Sequence, residues 1–216
     1  MHRALFRIKK ACALANAEIG ALKPEIARAI VEACDRALAG EFDNEFPLDM
    51  WQGGGYTCVN MNVNEVIGNA ANEILTARKG QDAVHPNTHV NKAQSTNDTI
   101  PSATHLAVAP ELDRIIEGVE ALGDVFAAKA EAFRHVVKVG RTCWQDALPL
   151  TLGQEFGGYA ALMRRLAGKL RAVLPGCFEI CMGRHGARSR SRVHGRPLPP
   201  PFRHLWRRGP PDGVSL

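Results

Sequence analysis

The chain has 216 residues and a formal net charge of +5, from 27 basic and 22 acidic side chains. No apolar run reaches the roughly 18 residues that cross a bilayer, so we expect no membrane-spanning helix. The charge is uneven, because residues 184–216 hold eight arginines and one aspartate and carry +7, whereas the other residues carry −2. The basic excess that suggests an anionic partner therefore belongs to this tail alone.

Apolar residues recur at three- and four-residue spacing in the first third of the chain, which predicts amphipathic helices. Glycines stand where these helices should end, and Pro24 stands at a helix start, where proline is tolerated. The predicted helices and their stops are, in chain order, 4–19 with Gly20, 26–38 with Gly40, and 63–75 with Gly80.

Longer helices are predicted after a polar loop at residues 85–98. Asp98 is placed to cap a helix that runs to about residue 134, which Pro110 should bend or interrupt because it removes a backbone donor. Residues 138–149 read as an irregular stretch, and apolar positions over 156–173 predict a final helix. The sequence therefore predicts an all-α fold.

The polar segment QGGGYTCVNMNVNE, residues 52–65, is the first candidate for binding chemistry. Its glycines let backbone amides approach a ligand, and Thr57 with the asparagines can donate to anionic oxygens. Taken alone, a turn followed by helix caps explains it better. It lacks the Lys-Ser/Thr pair of a nucleotide phosphate loop.

The second candidate is QSTND, residues 94–98. It places Ser95, Thr96 and Asn97 just before a helix N-terminus, where free amides and the helix dipole favour an anion. An ordinary cap made by Ser95 or Asp98 explains the same residues equally well.

The third candidate is GRTCWQD, residues 140–146, which offers Arg141 and Thr142 as carboxylate ligands. A surface ion pair between Arg141 and Asp146 is the alternative.

Together the three segments resemble those of the fumarase/aspartase superfamily. They stand here as QGGGYTCVNMNVNE, HVNKAQSTND and GRTCWQDALPLTLGQEF, with the superfamily's order and spacing across residues 4–183. The chain is most similar to the aspartase (aspartate ammonia-lyase) branch. Fumarases tend to read QTGSGT at residues 52–57, SSND at 95–98, and histidine where Cys143 stands. Tyr56, where glycine is commoner, departs from both branches.

The resemblance implies a helical lyase that removes ammonia from L-aspartate to give fumarate, through an aci-carboxylate stabilised by neutral donors. It implies no cofactor and no metal. His85 and His89, four residues apart in a loop, are typical of a solvated pair rather than a zinc site. For intact members it implies a homotetramer. The residues it assigns to the dicarboxylate or amino-acid substrate are Thr57, Ser95, Thr96, Asn97 and Thr142.

The resemblance also implies an incomplete chain. The superfamily's proton-abstracting serine lies in a GSSxMPxKxNP loop, and no such string occurs here, so we assign no catalytic residue and expect no activity from the chain alone. The tail from residue 184 has the composition of an out-of-frame, disordered segment. The predicted domains are an N-terminal lyase domain (1–96, incomplete at its start), the beginning of a central helical bundle (97–183), and the tail (184–216).

Other functions stay open. One is a fumarase-type hydratase, or another lyase of the superfamily. Another is nucleic-acid binding through the tail, with Phe202 and Trp206 as stacking groups, which is disfavoured because basic tails bind polyanions weakly without a dedicated role. A third is a non-catalytic chain that pairs with intact subunits through exposed apolar helix faces. Six cysteines without a tight framework indicate reduced thiols and a cytoplasmic protein.

Overall fold

The computed structural model describes residues 1–49 and 56–182. The glycine triplet of the first polar segment and the whole of the tail, including its predicted disorder and nucleic-acid binding, lie outside the described residues. The α-helices are α1 (His2–Glu18), α2 (Pro24–Leu38), α3 (Thr57–Thr76), α4 (Thr96–Ala132) and α5 (Leu152–Val173), and the strands are β1 (Val137–Thr142) and β2 (Gln145–Thr151). The predicted helical class is confirmed, with one small sheet added.

The described residues divide into two compact units, residues 1–107 with 180–182, and residues 108–179. The domain boundary expected at 96/97 stays a prediction. Single helical turns lie at Asp43–Glu45, Pro86–Val90 and Leu174–Phe178. No helix in the described ranges is both long enough and apolar enough to cross a membrane. All six cysteines are free thiols.

The core of the first unit forms where α1 packs on α2 and α2 packs on α3. The stops predicted at Gly20 and Gly40 are confirmed, because both glycines have positive φ angles (72° and 93°) just beyond a helix end. Pro24 occupies the first turn of α2, after an extended Lys23. Fully buried apolar side chains of this core include Leu5, Phe6, Ile8, Ile30, Val63 and Ile67.

A buried asparagine fixes the loop after α3. The Asn72 amide nitrogen lies 2.5 Å from the Gly80 carbonyl oxygen and 2.7 Å from that of Val84. Its Oδ1 accepts the backbone N–H groups of Ala83 and Val84. α3 ends earlier than Gly80, at a left-handed Ala77. One side chain thus supplies hydrogen bonds that the irregular loop backbone cannot make to itself.

The interruption expected at Pro110 is wrong, because α4 runs unbroken for 37 residues. Proline in a helix interior costs about 3 kcal/mol through a lost hydrogen bond and a clash. Here it is solvent-exposed, and strong helix formers lie on both sides of it, with Leu106, Ala107 and Ala109 before it and Glu111, Leu112 and Arg114 after it. The helix-forming tendency of the residues on either side outweighs the cost of this one proline.

The irregular stretch expected over 138–149 is also wrong, because β1 and β2 form an antiparallel hairpin there. Cys143 and Trp144 make its two-residue turn with φ angles of 47° and 67°. That geometry is the primed turn that matches the twist of two strands. Gly140 allows the strands to approach, since a Cβ there would lie 2.7 Å from the Leu148 carbonyl oxygen.

In the second unit, α5 begins with a capping box in which Thr151 and Gln154 satisfy each other's backbone N–H groups. Aromatic rings gather between α4 and α5, where Phe126 lies 6.0 Å from Phe156 and 5.6 Å from Tyr159 between ring centroids. Many large apolar side chains of this unit stay exposed. We call the apolar face the set Ile115, Leu122, Val125, Tyr159 and Val173.

Candidate functional site

The N-terminus of α4 gathers three of the predicted binding residues. α4 begins at Thr96, two residues before the predicted cap. The Ser95 hydroxyl accepts the Asn97 backbone N–H at 3.3 Å, and Asp98 Oδ2 accepts the Ser95 backbone N–H at 3.3 Å. This reciprocal cap combines the two capping alternatives. It also positions the three side chains at a helix end that favours an anion.

Asn60 connects α3 to this helix end. Its amide nitrogen donates to the Thr96 hydroxyl oxygen at 3.3 Å, and its Oδ1 accepts the Thr99 hydroxyl at 3.2 Å. Asn60 is 1% exposed, and its bond with Thr99 is buried, whereas its bond with Thr96 is partly buried. Within the described residues, the Thr96 hydroxyl has no acceptor of its own. It can therefore donate outward to a ligand.

Lys9 lies beneath this connection, wholly buried. Its Nζ donates to Asn60 Oδ1 at 2.8 Å, to Asn91 Oδ1 at 2.9 Å, and to Gln94 Oε1 at 2.9 Å. These three acceptors come from α3 and from the loop that precedes α4. A single α1 side chain thus holds together the first and second polar segments.

Burial sets the ionisation of this region. Removal from water lowers the pKa of Lys9 to about 7, because a charged ammonium is costly in an apolar interior. The same effect raises the pKa of the Cys12 thiol to about 12 and raises the pKa of the Cys34 thiol further. Lys9 can change charge near neutral pH, whereas the two thiols stay protonated.

The other predicted binding residues are placed less tightly. Thr57 is the first residue of α3 and is exposed, as is Asn97. Thr142 ends β1 in the second unit, where it is exposed and paired with Gln145. The structure thus brings Ser95, Thr96 and Asn97 together, and the binding roles of all five residues stay predictions.

The two other asparagines of the first segment have different surroundings. Asn62 donates to the Glu45 carbonyl oxygen at 3.2 Å. Asn64 is fully buried, and in the described ranges its Oδ1 has no hydrogen-bond partner. Neither belongs to the three amide oxygens around Lys9 Nζ, those of Asn60, Asn91 and Gln94, which we call the cage.

The histidine pair makes local backbone contacts. His85 Nδ1 accepts the backbone N–H groups of Asn87 and Thr88, each at 3.2 Å, and His89 Nδ1 accepts the His85 backbone N–H at 2.9 Å. Burial lowers the pKa of His89. Within the described residues, no three His, Cys, Asp or Glu side chains form a group that could hold a metal ion.

Sequence reasoning missed Lys9 and Asn91. A signal was present for Lys9, since Leu5, Ile8, Lys9 and Cys12 follow the spacing of one helix face, and a lysine on an apolar face needs a partner. Asn91 carried no such signal, because its partner lies 82 residues away in the chain.

Comparison with known proteins identifies the family. A protein-family model described as "Lyase" matches residues 2–183. The chain belongs to this lyase family. It is the fumarase/aspartase superfamily that the three polar segments resemble.

Several curated relatives of this lyase chain are fumarate hydratases. The class II fumarate hydratase of Bordetella parapertussis is 47% identical over 182 residues, which are 83% of this chain and 39% of the relative. The mitochondrial fumarate hydratase of Danio rerio is 49% identical over 183 residues, which are 84% of this chain and 36% of the relative. The chain thus spans about two fifths of these relatives, whose names favour the fumarase alternative over the aspartase branch.

Solved structures of the family share the fold. A Brucella melitensis fumarate lyase:delta crystallin in native form is 42% identical with a TM-score of 0.75, over 84% of this chain and 42% of that one. The class II fumarase of Schistosoma mansoni is 37% identical with a TM-score of 0.76, over 84% of this chain and 38% of that one. Both similarities extend over the same large share of the lyase chain.

Proposed function

We propose that this chain supplies a carboxylate-binding part of a fumarate hydratase, which interconverts fumarate and L-malate. The observation that carries the proposal is identity of 47–49% to fumarate hydratases over about five sixths of the chain. Those residues include the helix end formed by Ser95, Thr96 and Asn97. The reaction is that of a whole fumarate hydratase, and this chain spans about two fifths of the length of such proteins.

The reaction explains why neutral donors suit this site. In the dehydration direction, a base removes a proton from the malate carbon beside a carboxylate. The carbanion's charge moves onto the carboxylate oxygens and gives an aci-carboxylate, before hydroxide leaves from the neighbouring carbon. Fixed donors aimed at those oxygens lower the barrier because they bind the extra charge without reorganising.

The α4 N-terminus offers such donors. The hydroxyl oxygens of Ser95 and Thr96 already accept hydrogen bonds from Asn97 N–H and Asn60 Nδ2, so their protons can point to a ligand. The Asn97 side chain is exposed at the same helix end. We propose Thr57 and Thr142 as further carboxylate ligands, with no proton-abstracting role for any of the five.

An aspartase-type reaction is the second candidate. It is favoured by Thr96 in QSTND and by Cys143 after Thr142, where the fumarase pattern described above has serine and histidine. The two candidates share the carboxylates and differ only in the leaving group, hydroxide or ammonia. Discrimination therefore requires comparison of malate with aspartate.

Ligand titration of the 216-residue protein tests the proposal. We expect fumarate and L-malate to shift the backbone amide signals of residues 95–97 in nitrogen–proton NMR spectra, more strongly than L-aspartate does. Thr96→Val, which keeps the shape and removes the hydroxyl, should weaken malate binding about tenfold, in line with the loss of a hydrogen bond to a charged group. Shifts confined to other residues, or a stronger response to aspartate, would count against a fumarate hydratase site.

A further inference from the structure

We propose that Lys9 is a positioning residue: it fixes which atom of the Asn60 amide faces Thr96, and so keeps the Thr96 hydroxyl a donor toward a carboxylate. The inference rests on the proposed function in one respect, that Thr96 binds the substrate. Lys9 itself is buried beneath the site and touches no substrate atom in this scheme.

The donors of the Lys9 ammonium match the acceptors around it one to one. A lysine ammonium has three N–H donors and no acceptor. Around Nζ lie three amide oxygens, those of Asn60, Asn91 and Gln94, at 2.8, 2.9 and 2.9 Å. Each donor thus has one acceptor, and each of the three amides must turn its oxygen toward Nζ.

This match determines which side-chain atom of Asn60 faces Thr96. With Oδ1 held by Lys9, Nδ2 lies on the other side of the amide, where it donates to the Thr96 hydroxyl oxygen and to Asn91 Oδ1, each at 3.3 Å. An amide nitrogen can only donate, so Thr96 must accept there. The Thr96 proton is left to donate elsewhere, which is the polarity that a carboxylate ligand requires.

Thr99 cannot replace Lys9 in this role. Its hydroxyl also donates to Asn60 Oδ1, at 3.2 Å. A hydroxyl rotates and can either donate or accept, so Thr99 would tolerate both orientations of the Asn60 amide. Lys9, which has no acceptor when charged, does select one orientation, and it also holds the Asn91 oxygen that accepts from Asn60 Nδ2.

Without the ammonium, which holds the Asn60 and Asn91 oxygens on one side, the Asn60 amide can turn over together with that of Asn91. Asn60 Oδ1 would then face Thr96, and the Thr96 hydroxyl would donate inward to it. A carboxylate approaching from outside would meet hydroxyl lone pairs instead of a proton. The site would keep its shape and lose one donor.

The charges near Lys9 do not fix its state by pairing. In the described part of the chain, none of its three acceptors is a carboxylate. The titratable groups that act on it are the Cys12 and Cys34 thiols, from α1 and α2, and Asp98 of α4 acts on Cys12. Both thiols stay neutral below pH 9 because burial raises their pKa values, so among these neighbouring groups only Lys9 loses a proton between pH 6 and 8.5.

The test uses the 216-residue protein, its Lys9→Met variant and the control Lys10→Met, which removes a neighbouring charge paired with Asp35 at the surface. In wild type we expect nuclear Overhauser contacts between the Asn60 side-chain amide protons and Thr96. In K9M those contacts should be replaced by contacts to the methyl group at position 9. Malate affinity should fall about tenfold in K9M, the size expected for one lost charged hydrogen bond, and stay unchanged in K10M.

A pH series on wild type needs no substitution and so holds even where K9M does not fold. As pH rises from 6 to 8.5, the Lys9 Nζ signal should report loss of its proton, and malate affinity should fall in parallel. Unchanged Asn60 contacts in K9M, or constant affinity while Lys9 loses its proton, would overturn the inference. Absence of malate binding in wild type would instead sink the proposed function, and the Asn60 contacts would still decide the role of Lys9.

Discussion

The two units of this chain differ in which side chains they bury and which they expose. The first buries Lys9, Asn60 and Asn72 at 0–1% exposure and gives each of them several hydrogen bonds. The second leaves Ile115 and Val125 each 54% exposed. Buried polar networks specify one arrangement of a core, whereas an exposed apolar patch marks a surface that binds something. The buried hydrogen bonds of the first unit therefore specify its fold, whereas the second unit has an apolar surface that favours binding to another molecule.

The largest expected effect comes from matched isoleucines. Ile67→Ala in the first unit removes a fully buried side chain and should cost about 2–5 kcal/mol of unfolding free energy. Ile115→Ala on the apolar face should change it by no more than about 0.5 kcal/mol. Urea unfolding followed by far-ultraviolet circular dichroism measures both. Equal costs at the two positions would break the comparison between the units.

Lys9 makes the stability of the first unit depend on pH. Its pKa is lowered to about 7 from 10.5, so above pH 7 the unfolded chain holds a proton that the folded chain has released. Stability therefore rises with pH, by up to about 1.4 kcal/mol per pH unit. The thiols act oppositely: burial raises the pKa of Cys12 to about 12 from 9.0. Above pH 9 the unfolded thiols lose protons that the folded ones keep, and stability falls.

The window from pH 7 to 8 thus isolates Lys9, since burial lowers the pKa values of His2 and His89 below 6.5 and the unfolded thiols lose their protons only near pH 9 and above. Urea unfolding across this window should show the rise in wild type and in Lys10→Met. Lys9→Met should show a flat profile. A flat profile in wild type would mean that Lys9 keeps its proton in the folded chain.

The second unit is tightly packed at one point despite its exposed surface. A Cβ on Gly153 would lie 2.5 Å from the Ala130 carbonyl oxygen, so Gly153→Ala should cost about 1–3 kcal/mol. Gly158, in the same helix, has nothing within 4 Å of such a Cβ, and Gly158→Ala should stabilise by up to about 1 kcal/mol. Thermal unfolding measures both variants. Midpoint temperatures that shifted in the same direction for the two variants would contradict the close contact at Gly153.

The apolar face predicts self-association. Covering it with a second copy removes apolar area from water, so the protein should sediment as a species larger than its 23.5 kDa. Val125→Lys places a charge in that surface and should weaken association at least about tenfold. Asp124→Lys, at the adjacent exposed position, serves as the control. Sedimentation of wild type as a well-behaved monomer at micromolar concentration would contradict the prediction.

The smallest expected effect is in the hairpin turn. Cys143 and Trp144 both hold positive φ angles, and such a conformation costs about 1 kcal/mol in residues other than glycine and asparagine. Trp144 is 94% exposed, so its removal loses little packing. Replacing the pair by Asn-Gly should slow hydrogen exchange of the strand amides about fivefold. The conservative Trp144→Phe should leave the exchange rates unchanged.

The helices were predictable because their signals are local. The glycine stops after α1 and α2 and the proline at the start of α2 each act within one turn. The hairpin was not predictable in this way, since its strands are largely exposed and lack the alternation of buried and exposed residues that identifies a strand. Its turn also has neither glycine nor asparagine where the geometry favours them.

In the candidate site too, local features were predictable from the sequence and long-range contacts were not. Ser95, Thr96 and Asn97 were found because they are consecutive and precede a helix. The cage that supports them was not found, because Lys9 meets Asn60, Asn91 and Gln94 across 51 to 85 residues of chain. A pattern of one face of a helix reveals that Lys9 is buried, but not which oxygens receive its protons.

The hydrogen bonds of Asn72 have a consequence for the order of folding. They close loops of only 8 to 12 residues, whereas those of Lys9 close loops of 51 to 85. Loop closure costs more entropy as the loop grows, so α3 and its following turn can assemble before α1 arrives. Substitution of Asn72 should then slow folding, and substitution of Lys9 should chiefly speed unfolding. The helix end that gathers the proposed ligands for carboxylate would be among the last parts of the first unit to become fixed.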